Sequence, residues 1–121
     1  MSSLAKDASV TTAETPALIV PTPRVNGSKL SLHINQVVRL VGLVSHIKDQ
    51  QVDLVASDGK HVNVRLSSGT ALTQGQIVEV IGNVESVSQV LEYSTYVWEN
   101  VDLDIYDKMI NLTYQYAELF T

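Results

Sequence analysis

The hydrophobic and polar positions of this chain change rhythm three times. Up to residue 22 there is no rhythm. Ser, Thr and Ala dominate as far as Thr15, and Pro16, Pro21 and Pro23 then favour extended backbone. The pattern predicts a flexible leader over 1–22. Only Ala17-Leu18-Ile19-Val20 within it is apolar enough to lie against a domain. The stretch Asn26 to Ile34 (NGSKLSLHI) has room for one or two helical turns, with Leu30, Ile34 and Val25 facing inward.

From Val37 apolar residues recur at every second position, the mark of strands. Val38, Leu40, Gly42 and Val44 share one face of a first strand. In QVDLVAS, Val52, Leu54 and Ala56 oppose Gln51, Asp53 and Val55. In HVNVRL, Val62, Val64 and Leu66 oppose His61, Asn63 and Arg65. Ser57-Asp58-Gly59-Lys60 between them reads as a hairpin, with Asp58 and Gly59 both at positive φ in a type I′ turn. After a loop from Ser67 to Gly75, a fourth strand spans Ile77 to Val87 and a fifth Gln89 to Glu99. Five short strands with short links bury little as a flat sheet. Curling the sheet on itself solves that, so residues 23–101 are expected to form a mainly β, closed or partly closed barrel.

Two of these strands nearly repeat: VRLVGLVS from Val38 and VEVIGNVE from Val78. Glycine inside a strand costs about 0.5–1 kcal/mol against alanine. It is accepted where a strand must kink or bulge at a barrel corner. Gly42 and Gly82 are therefore expected to be structural kinks on neighbouring strands.

The rhythm turns helical over 102–121. Asp102 or Asp104 can cap this helix, and Asp104 and Asp107 put negative charge in its first turn. It carries two apolar stripes. Ile105, Met109, Leu112, Tyr116 and Leu119 form one; Tyr106, Ile110, Thr113, Ala117 and Phe120 form the other. A helix lying on a barrel needs one stripe. At roughly 1.5–3 kcal/mol per buried side chain, leaving five exposed forfeits on the order of 10 kcal/mol. One stripe should cover the barrel and the other should meet another chain, or the leader folded back. The heptad spacing favours a helical partner. Ile105, Met109, Leu112, Tyr116 and Leu119 are the expected partner-helix interface, with Tyr106, Ile110, Thr113 and Phe120 as the alternative.

Composition then narrows the chemistry. The net charge is −5, with eight Lys and Arg, which disfavours strong autonomous nucleic-acid binding. No Phe, Tyr or Trp precedes Tyr93, so the second and third strands lack the aromatic platform on which single strands stack. Tyr93, Tyr96 and Trp98 read mostly as core and helix-packing residues. A weak contact through Lys48, Lys60 or Arg65 is the remaining direct route to DNA. There is no cysteine, which excludes disulfides and thiolate metal sites. No apolar run approaches a membrane span, and MSSLAKDASV lacks the apolar core of a secretory signal. His33, His46 and His61 are scattered singly, and no nucleotide or nucleophile motif occurs. No catalytic residue, metal site, cofactor or enzyme activity is expected.

Taken in order, Pro23-Arg24-Val25-Asn26 with Leu30, VRLVGLVSHI, Ser57-Asp58-Gly59, VEVIGNV, Thr95-Tyr96-Val97 and Asp102-Leu103-Asp104-Ile105-Tyr106 make a recognisable set. From about Pro23 to Phe120 the chain resembles the smallest subunit of replication protein A, the eukaryotic single-stranded-DNA-binding heterotrimer. The resemblance implies a five-stranded OB-fold followed by a C-terminal oligomerisation helix. It implies that this helix joins helices of the large and middle subunits in a three-helix bundle. The role implied is structural, in a nuclear complex that coats single-stranded DNA in replication, repair and recombination, with DNA met mainly through the complex. Two other readings stay open: a free-standing OB module for single strands, and the small OB subunit of a telomere-capping or helicase-associated complex. Leu43 stands where this family more usually has a polar residue, which points to a contact with a partner or the leader.

Overall fold

A computed structural model describes residues 22–119. The expected leader, with its Ala17–Val20 patch, lies outside the described residues but for Thr22, as do Phe120 and Thr121. The elements in order are β1 (Arg24–Val25), a 3-10 helix (Gly27–Leu32), β2 (Val37–Lys48), β3 (Gln51–Ala56), β4 (His61–Arg65), β5 (Ile77–Ser86), β6 (Gln89–Trp98) and α1 (Leu103–Leu119). The sheet runs β1-β2-β3-β4-β6-β5, and β2 pairs with β5 as well. The strands from β2 to β6 thus close into a ring of five, with β1 added outside as a parallel edge. No helix of the described residues is long and apolar enough to cross a membrane.

The alternation read from sequence is the alternation of burial. Val38, Leu40, Val44, Val52, Leu54, Val62, Val64, Val78, Val80, Val84 and Val90 line the inside of the ring, and Val25 and Leu30 join them from β1 and the 3-10 helix. β-Branched valines suit this half-buried pleated geometry. Ile34, expected inside, is exposed, because the 3-10 helix ends at Leu32 and the chain turns before Ile34 can point inward.

The near-repeat pairs with itself. β2 and β5 run antiparallel in a register that sets Val38 opposite Gly82, Leu40 opposite Val80 and Gly42 opposite Val78. β2 pairs with β5 along its first half and with β3 along its second, and Gly42 lies where the two ladders overlap. A Cβ there would sit 2.5 Å from the Val55 carbonyl oxygen and 2.8 Å from Leu54 Cγ. Gly82 lies at a bulge in the β5–β6 ladder, where a Cβ would run into the Leu91 carbonyl oxygen. Each glycine thus admits the backbone of a neighbouring strand, as barrel closure requires.

Two local expectations are corrected. The β3–β4 hairpin is not type I′: Gly59 takes positive φ but Asp58 does not. The Ala56 amide donates to the Lys60 carbonyl and the Gly59 amide to the Ala56 carbonyl, which makes a three-residue loop closed by a left-handed glycine. Asp58 is busy elsewhere, its carboxylate accepting from the amides of Gly27 (3.1 Å) and Ser28 (2.9 Å). Tyr93 and Tyr96 are not core residues; they are 56% and 55% exposed. The ladder shifts between Ile81–Ser94 and Gly82–Glu92, so Tyr93 is the extra residue of the bulge and the alternation slips one place beyond it.

Candidate functional site

The C-terminal helix begins on a side-chain cap. Asp102 Oδ1 accepts from the amides of Asp104 (3.0 Å) and Ile105 (3.2 Å), two donors that the first turn leaves without partners. One face of α1 then lies on the outside of the barrel. Tyr106 and Ile110 are buried with Val41 of β2, and Ile77, Trp98, Leu103 and Tyr114 pack around them. Trp98 meets Tyr106 edge to face, ring centroids 5.6 Å apart. Leu103, Tyr106, Ile110 and Tyr114 are spaced three, four and four apart, so the barrel-facing stripe is not either of those expected. Tyr106 and Ile110 belong to the alternative stripe, but Tyr114 replaces Thr113, which is exposed. Leu43 sits beside Ile77 along the segment 100–104 that leads into the helix.

Polar contacts fix where the helix lies. Asp107 accepts from Asn26 Nδ2 (2.8 Å), Ser57 Oγ (3.0 Å) and Asn111 Nδ2 (3.2 Å). Asn26, buried, also caps the 3-10 helix through its side-chain oxygen and the Lys29 amide. One turn further on, the Tyr114 hydroxyl lies 2.8 Å from His33 Nε2 and donates to the Arg24 carbonyl at 3.3 Å. Lys29 Nζ stands 5.0 Å over the Tyr114 ring. Burial pushes the hydroxyl pKa of both Tyr106 and Tyr114 up. Sequence reasoning missed this network. An Asn and a Ser that stand 81 and 50 residues from the Asp they share carry no joint signal in a linear chain.

The opposite face of α1 carries exposed large side chains. Ile105 is 64% exposed, Met109 42%, Leu112 62% and Tyr116 60%. These four hold the heptad spacing of the first stripe read from sequence. No side-chain placement is described for its fifth member, Leu119. Thr113 Oγ1 donates back to the Met109 carbonyl (2.9 Å), so its hydroxyl is satisfied inside the helix.

The expected weak DNA contacts do not form one cluster: Lys48 and Arg65 flank Gln51 in one row across the sheet, and Lys60 stands apart. Lys48 ends β2 and faces the turn into β3, whereas Lys60 stands in the hairpin at the other end of β3. Arg65 is engaged by Glu85 in a two-pronged pair, Nε to Oε1 at 3.1 Å and Nη2 to Oε2 at 2.6 Å. The outward face of β3 and β4 is likewise paired within itself. Asp53 Oδ2 lies 2.8 Å from His61 Nδ1 and 3.9 Å from His46 Nδ1, and Asn63 Nδ2 donates to Gln51 Oε1 at 3.4 Å. The fold thus gathers two histidines that the sequence scatters, yet no group of the described residues could hold a metal ion.

A second missed feature is Glu92, only 1% exposed. Its carboxylate accepts from the Ser67 amide (2.8 Å) and hydroxyl (2.7 Å), from Thr70 Oγ1 (3.1 Å) and from the Thr95 hydroxyl. Burial alone would raise its pKa, but these donors together hold it below the usual carboxylate range. The cage ties the 67–70 loop to β6.

The profile of the family described as Replication factor A protein 3 matches residues 18–120. No curated protein sequence matches the chain. Among solved structures, a chain of U. maydis replication protein A bound to single-stranded DNA superposes with a TM-score of 0.75 at 25% identity, covering 84% of this chain and 96% of that one. A chain of the S. pombe Stn1–Ten1 complex gives 0.67 at 12% identity over 79% and 94%. The S. pombe telomere-capping protein Ten1 gives 0.66 at 12% over 78% and 99%. At that identity the last two share the fold alone. The ring of five strands followed by one helix is an OB-fold, and over 18–120 the chain belongs to the Replication factor A protein 3 family, that of the smallest subunit of replication protein A.

Proposed function

We propose that this chain is the structural subunit of a replication protein A heterotrimer. Its helix α1 locks it to the large and middle subunits, and the assembled complex, rather than this chain alone, grips single-stranded DNA during replication, repair and recombination in the nucleus. The observation that carries the reading is the exposed, heptad-spaced run Ile105, Met109 and Leu112, on a helix whose other face already covers its own barrel. Heptad-spaced apolar residues on an anchored helix suit two further helices packed alongside, a three-helix bundle to which Leu119 would add one more turn. Residues 23–101 serve as the barrel that presents this helix, and 102–121 as the oligomerisation element. No catalytic step is assigned to the chain.

Co-expression with the large and middle subunits tests this. Wild-type chain should elute with both partners as one species on size exclusion. The double variant Leu112→Asp, Tyr116→Asp should elute alone while keeping its strand-type circular dichroism. A stable heterotrimer containing the double variant would sink the proposal. The Ten1 likeness defines the competing outcome, in which the chain co-purifies with a different OB-fold partner.

A further inference from the structure

Beside α1 runs a groove. It lies between the helix and the start of the described chain, with walls formed by Pro23, His33, Met109, Ile110, Tyr114 and Ala117. Its volume is about 310 Å³. That is at the lower end of pockets that hold small organic ligands, roughly 300–1,000 Å³. It has room for a few aliphatic side chains and not for a whole helix. Thr22 lines it too, so the chain upstream of β1 departs from its mouth.

The register shows where that chain must go. β1 runs parallel to β2 with Arg24 beside Arg39, and the Pro23 carbonyl accepts from the Arg39 amide at 2.9 Å. Continued by two residues, the register brings Thr22 beside Val37, the first residue of β2. Upstream of that point β2 has no backbone left to offer. Pro21 and Pro23 have no amide to donate, and proline favours extended backbone at the residue before it. The next residues upstream are Val20, Ile19, Leu18 and Ala17, the only aliphatic run in the first 22 residues. The family match begins at Leu18, which takes Leu18, Ile19 and Val20 into the family's pattern and leaves residues 1–17 out.

We propose that the segment Ala17–Val20 docks in this groove, with Leu18 and Val20 as its anchors. In an extended segment these two side chains point the same way. At about 3.3 Å per residue they lie within roughly 7–13 Å of Thr22, within reach of the walls. A tether this short gives an effective concentration in about the millimolar range, so weak apolar contacts suffice to hold the segment. Docked there, it flanks Met109 and covers the apolar groove walls of Ile110, Tyr114 and Ala117. The proposal concerns the flank of α1, and in the free chain it holds or fails whether or not the trimer assembles.

The absence of cysteine makes the test clean. A single Thr15→Cys substitution in the full-length chain carries a nitroxide spin label. Met109 is one of two methionines, the other being Met1, so methyl labelling of methionine gives a reporter in the groove wall. The label should broaden the Met109 methyl signal and the amide signals of Thr113 and Ala117. The added pair Leu18→Asp, Val20→Asp should restore them, in a chain whose β-barrel amide shifts are unchanged. If the label leaves Met109 sharp, the proposal is overturned. It is overturned too if the broadening survives the double substitution, because tethering alone would then explain it. If Met109 is broadened only in the free chain and not in the heterotrimer, a partner occupies the groove and the proposal fails for the assembled complex.

Discussion

Two surfaces of this molecule are finished to different degrees. The outward face of β3 and β4 is already paired: His61 on Asp53, Asn63 on Gln51, and Arg65 on Glu85 of β5. The outer face of α1 leaves Ile105, Met109 and Leu112 exposed. A face whose charges are already paired has little free cation to offer a phosphate chain. A face with heptad-spaced apolar side chains has burial energy still to gain. The contrast is what supports the proposed partner interface on the helix, and a protein partner for it rather than a nucleic acid.

The buried side of the same helix is the internal control. Ile110, 1% exposed, belongs to the barrel's own packing, and Leu112, 62% exposed, does not. In the isolated chain Ile110→Ala should cost about 2–5 kcal/mol, the usual range for truncating a buried isoleucine. Leu112→Ala should stay within about 0.5 kcal/mol. Urea unfolding followed by the fluorescence of Trp98, which packs against Tyr106, reads both. Equal losses would mean that α1 lies differently on the barrel and that the two faces are not distinct.

Next in size is barrel closure, on which the position of both surfaces depends. Gly42→Ala and Gly82→Ala each push a methyl group into a neighbouring strand's carbonyl oxygen. Each should destabilise by roughly 1–3 kcal/mol, the cost of overpacking a tight site. Neither touches the exposed run on α1, so the folded fraction of either variant should still assemble. A Gly82→Ala protein as stable as wild type in thermal unfolding would remove the close-approach explanation of the near-repeat.

Those glycines show what the sequence made legible and what it hid. Two similar strands with a glycine at matching places, a period-two core, an Asp-Gly hairpin and a doubly striped helix are local patterns, and local patterns survive in one dimension. β1 was hidden because two residues between prolines and a 3-10 helix have no period. Tyr93 and Tyr96 were misplaced because a bulge shifts the alternation by one residue, and no residue type announces a bulge where the extra residue is a tyrosine. The place of Tyr114 in the buried stripe came from steps of four, four residues beyond Ile110, where the heptad pattern chose Thr113. The Asn26–Asp107–Ser57 network joins three elements and exists only once they are folded.

Two carboxylates sharpen the contrast between interior and surface by titration. Glu92 is buried in its cage of hydroxyls, whereas Glu85 is held down at the surface mainly by the hydrogen bond from Arg65. Both have folded pKa values below their unfolded ones. Their contributions are therefore fully present above the unfolded carboxylate value, about 4.3, and are lost as pH falls through the folded one. Glu92→Gln should flatten the fall in urea midpoint between pH 5 and pH 3, on the order of the acid-denaturation range. Glu85→Gln should flatten it less, and added salt should erase what difference it makes. A wild-type midpoint that does not change across this range would show that the Glu92 cage is as stable around a protonated carboxyl.

The smallest expected effect tests the closed face directly. Each phosphate neutralised on a single strand contributes about 0.7 to the slope of log affinity against log salt. If Lys48 and Lys60 lay on the DNA path, Lys48→Glu with Lys60→Glu in the assembled heterotrimer would reduce the slope by about 1.4, twice that value. Arg65→Gln would reduce it less, because Glu85 already holds that guanidinium. Lys48 and Lys60 stand at opposite ends of β3 with carboxylates beside them: Asp49 next to Lys48, and Asp58 accepting from the Lys60 amide. The slope of the double variant should therefore equal that of wild type. A loss near the two-contact value would make the barrel a DNA-touching surface in its own right, and the difference between the two faces would become one of partner type rather than of whether a partner is needed.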